Sequence, residues 1–228
     1  MKVTLLTLFP ELLEAYFSTS ILGKLVDDGR LEYSVVDIRD FATDRHRTCD
    51  DAPYGGGAGM VMKPEPLAAA LDSVLAEGAR VVYPTPSGRL FDQQTASDLA
   101  LEAELVLICG RYEGIDQRVI DIYVDDEISV GDYVLSSGEV AGMVIVDAVY
   151  RLLDGAISKE SLVEESFSTG LLEYPQYTRP AEFRGRRVPE VLLSGHHNEI
   201  AKWRRSAARE KTARYRSDLL ERSESTWM

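Results

Sequence analysis

The sequence predicts an α/β protein, a parallel sheet with helices on both faces followed by a small C-terminal helical domain. Three observations predict it. Short apolar runs such as Val3–Leu6 and Leu105–Cys109 alternate with stretches of helical periodicity, the order that a parallel sheet with crossover helices requires. The runs are continuously apolar rather than alternating, which marks strands buried on both faces. The charge is also divided: residues 1–178 hold 13 Lys and Arg against 31 Asp and Glu, while 179–228 hold 12 against 7, so a net of −18 gives way to +5.

The elements follow in order. Lys2–Leu8 reads as a strand, Pro10–Asp28 as helical and Leu31–Ile38 as a second strand, and then comes the glycine-rich loop Tyr54-Gly55-Gly56-Gly57-Ala58-Gly59. A helix over Glu65–Ala76, a strand at Arg80–Tyr83, a helix over Gln93–Leu101 opened by Asp92 as N-cap, and a strand at Leu105–Cys109 repeat the alternation. A short helix near Asp116–Ile120, a strand near Tyr123–Ile128 and a long helix over Glu139–Leu153 complete the first domain. Asp154–Tyr174 mixes Gly, Ser and Glu without periodicity and reads as a linker. From Pro189 the pattern is helical, with Ile200, Trp203 and Ala207 on one face and arginines between them. Trp203 at that spacing reads as core. The expected boundaries are 1–158 for the α/β domain, 159–175 for the linker and 176–228 for the helical module. No segment recurs at a fixed spacing, which excludes a repeat protein.

Composition narrows the function classes. With 228 residues, 45% of them hydrophobic, the chain can bury a proper core. Its longest apolar stretches, such as Val140–Val149, fall short of the roughly 20 residues a membrane span needs, and Met1–Leu6 carries no leader pattern, so a cytoplasmic protein without a membrane partner is expected. Cys49 and Cys109 make no disulfide framework, and His46, His196 and His197 match no metal-ligand spacing, so no structural metal is expected. The net charge of −13 argues against a nucleic-acid partner, since phosphate binding draws on Lys and Arg. The basic tail reopens that possibility, with an ordinary solvated helix surface as the alternative.

Two loops carry most of the chemistry. Ile108-Cys109-Gly110-Arg111-Tyr112-Glu113-Gly114-Ile115-Asp116 and Val130-Gly131-Asp132-Tyr133-Val134-Leu135-Ser136-Ser137-Gly138-Glu139 are apolar runs that break into glycine-punctuated, charged loops. A strand that ends this way offers its backbone to a ligand. Two such loops in one domain suggest one pocket. A dinucleotide fingerprint does not fit the other glycines, because Gly55–Gly59 follows the second strand across a long loop rather than lying directly between the first strand and its helix.

These loops also carry a family resemblance. Tyr54-Gly55-Gly56-Gly57-x-Gly59-Met60, Pro86-x-Gly88-Arg89, Cys109 to Asp116 with Arg118, Gly131-Asp132-Tyr133-Val134-Leu135-Ser136, Tyr177-Thr178-Arg179-Pro180 and Leu192-Leu193-Ser194-Gly195-His196 together resemble the bacterial tRNA (guanine-N1)-methyltransferases. These belong to the SPOUT class of knotted RNA methyltransferases. The match is collinear from the first strand to beyond Trp203. It implies a deep trefoil knot, against the general rule that chains avoid knots.

The resemblance implies S-adenosylmethionine as methyl donor, in a cup built from three loops. Tyr83, Pro84, Thr85 and Pro86 come from the first; Gly110, Tyr112 and Gly114 from the second; Val130, Gly131, Asp132, Tyr133, Val134, Leu135 and Gly138 from the third. A sulfonium donor has no phosphates, so apolar walls and main-chain hydrogen bonds suit it without a phosphate-binding Lys. Ser137 stands where the family usually has a second Gly. Methylation of guanine N1 requires a base for the N1 proton and a cation for the charge that builds on O6. By resemblance, Glu165 is the base, in the place of the family's Asp, and Arg151 is the cation. The plainer readings are solvated charge for the Glu164-Glu165 pair and capping of a helix C-terminus for Arg151. Arg111, Glu113, Ser194 and His196 are expected at the substrate. The resemblance further implies tRNA as partner, methylation at position 37 just 3′ of the anticodon, a homodimer with a site shared across its interface, and Mg2+ as a candidate participant. The competing functions are a knotted ribose 2′-O-methyltransferase and a catalytically silent RNA-binding relative.

Overall fold

The computed structural model describes residues 1–225, so the last three residues of the expected 176–228 module lie outside the described residues. The chain divides into two compact units, Met1–Ala156 and Ile157 onward.

The first unit runs β1 (Lys2–Thr7), α1 (Pro10–Phe17), α2 (Ser20–Asp27), β2 (Glu32–Asp37), a 3-10 turn at Ile38–Phe41, a small antiparallel hairpin of β3 (Asp50–Asp51) and β4 (Val61–Met62), and α3 (Pro64–Val74). It continues through β5 (Arg80–Leu90), α4 (Gln93–Leu99), β6 (Glu104–Ile108), α5 (Gln117–Tyr123), β7 (Asp126–Ser129) and α6 (Gly138–Tyr150). Five strands form one parallel sheet in the order β2-β1-β6-β5-β7. This is the α/β class that the apolar runs imply. β1 and β6 lie side by side at the centre, where Leu5, Leu6, Leu105, Leu107 and Ile108 are fully buried. Burying each such side chain stabilises by roughly 1.5–3 kcal/mol. Leu13, Phe17, Leu22, Leu25, Leu99, Ile145 and Val149, from α1, α2, α4 and α6, pack on one face. Leu67, Leu71 and Val119, from α3 and α5, cover the other.

Three elements differ from the sequence expectation, each for a local reason. The 10–28 stretch is two helices: the hydroxyls of Ser18 and Thr19 donate to the carbonyls of Ala15 and Tyr16 at 3.1 and 3.0 Å, and Thr19 turns extended. Such back-bonding competes with continued helix. Tyr123 ends α5 instead of opening a strand, and its hydroxyl donates to Asp72 at 2.9 Å. β5 runs on past Tyr83 to Leu90 despite Pro84 and Pro86, because it pairs with β7 twice, at Val82–Pro84 and again at Arg89–Leu90, with the residues between them bulged out. A bulge is where a sheet tolerates proline.

Asp126 fastens this doubled pairing. Its carboxylate, 8% exposed, accepts from Arg80 Nε at 2.8 Å and Arg89 Nη2 at 2.9 Å, while Arg89 Nη1 reaches Thr95. Burial pushes the Asp126 carboxyl up, but the two guanidinium hydrogen bonds outweigh it and leave it below the ordinary carboxylate value. The resulting stabilisation is present above the unfolded-state carboxylate value near pH 4 and is lost as pH falls through the lower native one. Asp126→Asn is therefore expected to destabilise at pH 7 by about 2 kcal/mol, less than a fully buried pair because both arginines are half-exposed. Chemical denaturation at pH 7 and pH 3 measures it: the gap between variant and parent should shrink at the lower pH.

The second unit holds α7 (Lys159–Glu164), a hairpin of β8 (Glu182–Phe183) and β9 (Arg186–Arg187), α8 (Glu190–Leu193), α9 (His197–Tyr215) and α10 (Ser217–Ser225). The stretch that reads as linker thus carries a helix, capped by Ser158, whose hydroxyl accepts from the Ser161 amide. The segment after it is tied to α9, since the Leu172 amide donates to the buried Thr212 hydroxyl at 2.9 Å. Ile200, Trp203 and Ala207 are half-buried along α9.

Candidate active site

β5, β6 and β7 all end on the same edge of the sheet, and ligands of open α/β sheets bind outside the carboxyl ends of the strands. There the segment after Tyr83, the loop 109–116 and the loop 130–137 enclose a cleft of about 270 Å3, near the lower end for small-molecule sites of roughly 300–1,000 Å3. Every residue that the resemblance assigns to the cup lines it except Asp132; Arg111 and Glu113 also face it. Ile128, Ser129, Ser136, Ser137 and Ala141 line it as well. The sequence reading did not assign these five to the cup: Ile128 and Ser129 end β7, and Ala141 lies one helical turn beyond Gly138.

The loops are held by their backbones. Gly138 N–H donates to Gly110 O at 2.9 Å. A Cβ on Gly138 would lie 2.5 Å from Gly110 N, so the two segments can approach this closely only with glycine there. Gly131 takes φ +154°, a region that side chains rarely adopt, and Ser129 Oγ donates to its carbonyl at 3.0 Å. Tyr83 is almost buried beneath Gly110 and Gly114, and burial pushes its phenol up. Tyr112 stands at φ +58° and is half-exposed at the rim. The Glu113 amide donates to Met60 O at 3.0 Å, and its carboxylate lies against Gly59 of the glycine-rich loop.

A buried network that the motifs do not announce sits behind the cup. Glu139, in the first turn of α6, is fully buried. Its Oε1 accepts from Thr7 Oγ1 at 2.6 Å and from Arg111 Nε at 3.5 Å, and its Oε2 lies 3.1 Å from the same Nε as an ion pair. The Arg111 guanidinium rests 4.2 Å from the Phe9 ring centroid and donates to Ser136 O at 3.4 Å. Arg111 is thus anchored from three sides, joining the ends of β1 and β6 to the third loop. Cys109 lies beside this network, and burial holds its thiol well above the usual range. It is a packing residue, not a nucleophile.

The remaining predicted residues lie elsewhere. Arg151 follows α6 as its C-cap, in the first unit but outside the cleft lining. Glu165 is the half-buried C-cap of α7 in the second unit, and its carbonyl accepts from Ser168 Oγ at 2.7 Å. Ser194 and His196 form the exposed turn between α8 and α9, where the His196 amide donates to Ser194 Oγ at 3.2 Å.

A parallel sheet whose strand ends carry a glycine-framed cleft of mixed polarity without lysine defines an α/β protein with a small-molecule site at the sheet edge. The comparisons give the family. Residues 1–222 match the model of tRNA (Guanine-1)-methyltransferase TrmD, and the chain belongs to this family. It is 62% identical over 228 residues to the tRNA (guanine-N(1)-)-methyltransferase of Treponema denticola, covering 100% of this chain and 94% of that one. The enzymes of the same name from Borrelia hermsii, 60% identical over 96% of this chain and 92% of that one, and from Treponema pallidum, 59% identical over 100% and 92%, are similar throughout.

Proposed function

We propose that the chain transfers the methyl group of S-adenosylmethionine to N1 of guanine 37 of tRNA, immediately 3′ of the anticodon. The observation that carries this reading is the cup: three loops at one sheet edge, in a chain whose family match spans 1–222. The residues present fit the methyl donor. Pro84, Ile128, Val130 and Leu135 supply apolar wall, the backbone at Gly110 and Gly131 supplies hydrogen-bonding groups, and no lysine intrudes. When bound, S-adenosylmethionine supplies an electrophilic methyl on its sulfonium. Tyr83, Gly110 and the 130–138 loop hold it and exclude water; Arg111, anchored on Glu139, keeps the third loop in place. Glu165 accepts the N1 proton as the N1–methyl bond forms, leaving S-adenosylhomocysteine, and Arg151 faces the charge that builds on O6.

The reading includes a second copy of the chain. Val134, Leu135, Val140 and Val144, on the third loop and the outer side of α6, remain partly or largely exposed next to the cup. An apolar patch beside a site suits a self-complementary two-fold interface, through which Glu165 of one protomer would serve the cup of the other. Cytoplasmic action follows in this reading from tRNA as substrate; among the described residues no helix is long and apolar enough to cross a membrane. Mg2+ enters the reading as a participant, checked by activity across a chelator series.

Nucleoside analysis of tRNA incubated with labelled methyl donor is the test. The expected product is N1-methylguanosine, formed only with G at position 37 and G at 36. A target base must be unstacked to reach a pocket, a condition the anticodon loop satisfies. A 2′-O-methylated nucleoside, or no product, overturns the reading; methylation of stem guanines, or indifference to residue 36, overturns its position.

A further inference from the structure

The second unit contains a cleft of its own, of about 420 Å3. We propose that it holds one unstacked RNA nucleotide, a base subsite separate from the methyl-donor cup; this rests on tRNA being the substrate. Its floor is apolar, from Val188, Leu192 and Ile200, and its wall carries Tyr174, Tyr177, Arg179 and Arg204. An aromatic face beside arginines over an apolar floor is how proteins take up a splayed base with its phosphate.

The side chains are prepared for it. Glu164 accepts from Tyr174 Oη at 2.5 Å and from Arg204 Nη1 at 3.3 Å, and the guanidinium lies 4.7 Å from the Tyr174 ring centroid. That arrangement fixes Arg204 while, among the described residues, its Nε has no acceptor. Tyr177 is braced by Trp203 at 6.2 Å between centroids yet stays 49% exposed. Arg179 is exposed at the rim. The surrounding 179–228 segment carries net +5, which favours a polyanion over an acidic-poor peptide as occupant.

The test uses the full chain and a tRNA transcript, with affinity measured across a salt series. Stacking on an aromatic side chain is worth about 1–3 kcal/mol per base, so Tyr177→Leu is expected to weaken tRNA binding about 10-fold at every salt concentration, with an unchanged salt slope and unchanged kcat at saturating tRNA. Tyr177→Phe should bind like the parent. Arg179→Gln should instead lower the slope by about one. As a second measurement, GMP or UMP is titrated into the parent protein saturated with S-adenosylhomocysteine, with NMR shifts expected at Tyr174–Arg179 and Ala181. Parental binding by a folded Tyr177→Leu chain, or mononucleotide shifts absent from this cleft, overturns the subsite while N1-methylguanosine formation keeps the enzyme reading intact. Failure of the parent to bind or methylate tRNA would instead remove the reading on which the subsite rests.

Discussion

Glu165→Gln is expected to lower kcat by about 100-fold or more while the affinity for S-adenosylmethionine stays within a factor of two. The amide keeps the size and some of the hydrogen bonding of the side chain but cannot take the N1 proton, and general-base contributions fall in the range of 10²–10⁴. The donor cup belongs to the first unit and Glu165 to the second, so the substitution leaves every cup residue in place. Single-turnover methylation and equilibrium dialysis of the donor measure the two quantities. Glu165→Asp, which shortens the side chain to the family's residue, should keep activity or raise it. Mixing Glu165→Ala chains with Gly131→Trp chains tests the shared site, because one intact site per mixed dimer should restore turnover. Full activity in the Gln variant would return Glu165 to the solvated-charge reading and move the proton to Glu113.

Gly138→Ala is expected to weaken S-adenosylmethionine binding by at least 10-fold. The new methyl carbon would lie 2.5 Å from Gly110 N, 2.8 Å from Gly110 O and 2.9 Å from the Cys109 carbonyl carbon, all of them backbone atoms that no rotamer change can move. Either the second and third loops separate, opening the cup, or α6 shifts along its axis; overpacking of this kind costs about 1–3 kcal/mol. Donor-induced thermal stabilisation reads it directly, since a ligand that binds only the native state raises the melting temperature by an amount that grows with the logarithm of its concentration over Kd. Ser137→Gly, next door and facing the same cleft, creates no collision and should bind the donor at least as well as the parent. A Gly138→Ala chain with parental donor affinity would mean that the Gly110–Gly138 contact does not govern the cup.

Continuous apolar runs made β1 and β6 readable because both lie at the centre of the sheet, where each face needs a hydrophobic side chain. The cup loops were readable for a related reason: glycines at strand ends announce backbone that must come close to something. The rest depended on partners distant in sequence. Pro84 and Pro86 argue locally against a strand, and only pairing with β7 around a bulge keeps β5 going. Glu139 at a helix start looks like surface charge complementing the helix N-terminus. That it is fully buried follows from Thr7 and Arg111, 132 and 28 residues away. Glu165 shows the opposite limit. The resemblance singles it out among acidic neighbours, whereas composition alone would leave it as one of two glutamates in a polar stretch.

The order of the strands also sets a schedule for synthesis. β1 leaves the ribosome before the other four strands of its sheet, yet one of its two neighbours is β6, with Lys2 opposite Glu104 and Leu6 opposite Ile108. Nearly half of the chain must emerge before the central pair can close, and pairing across so many residues is entropically slow. Thr7 waits longer still, until Glu139 arrives to accept its hydroxyl. A nascent chain halted short of β7 would carry β1 and β6 but lack the third wall of the cup. The methyl donor therefore has no early intermediate to seed; it can clasp only the completed unit.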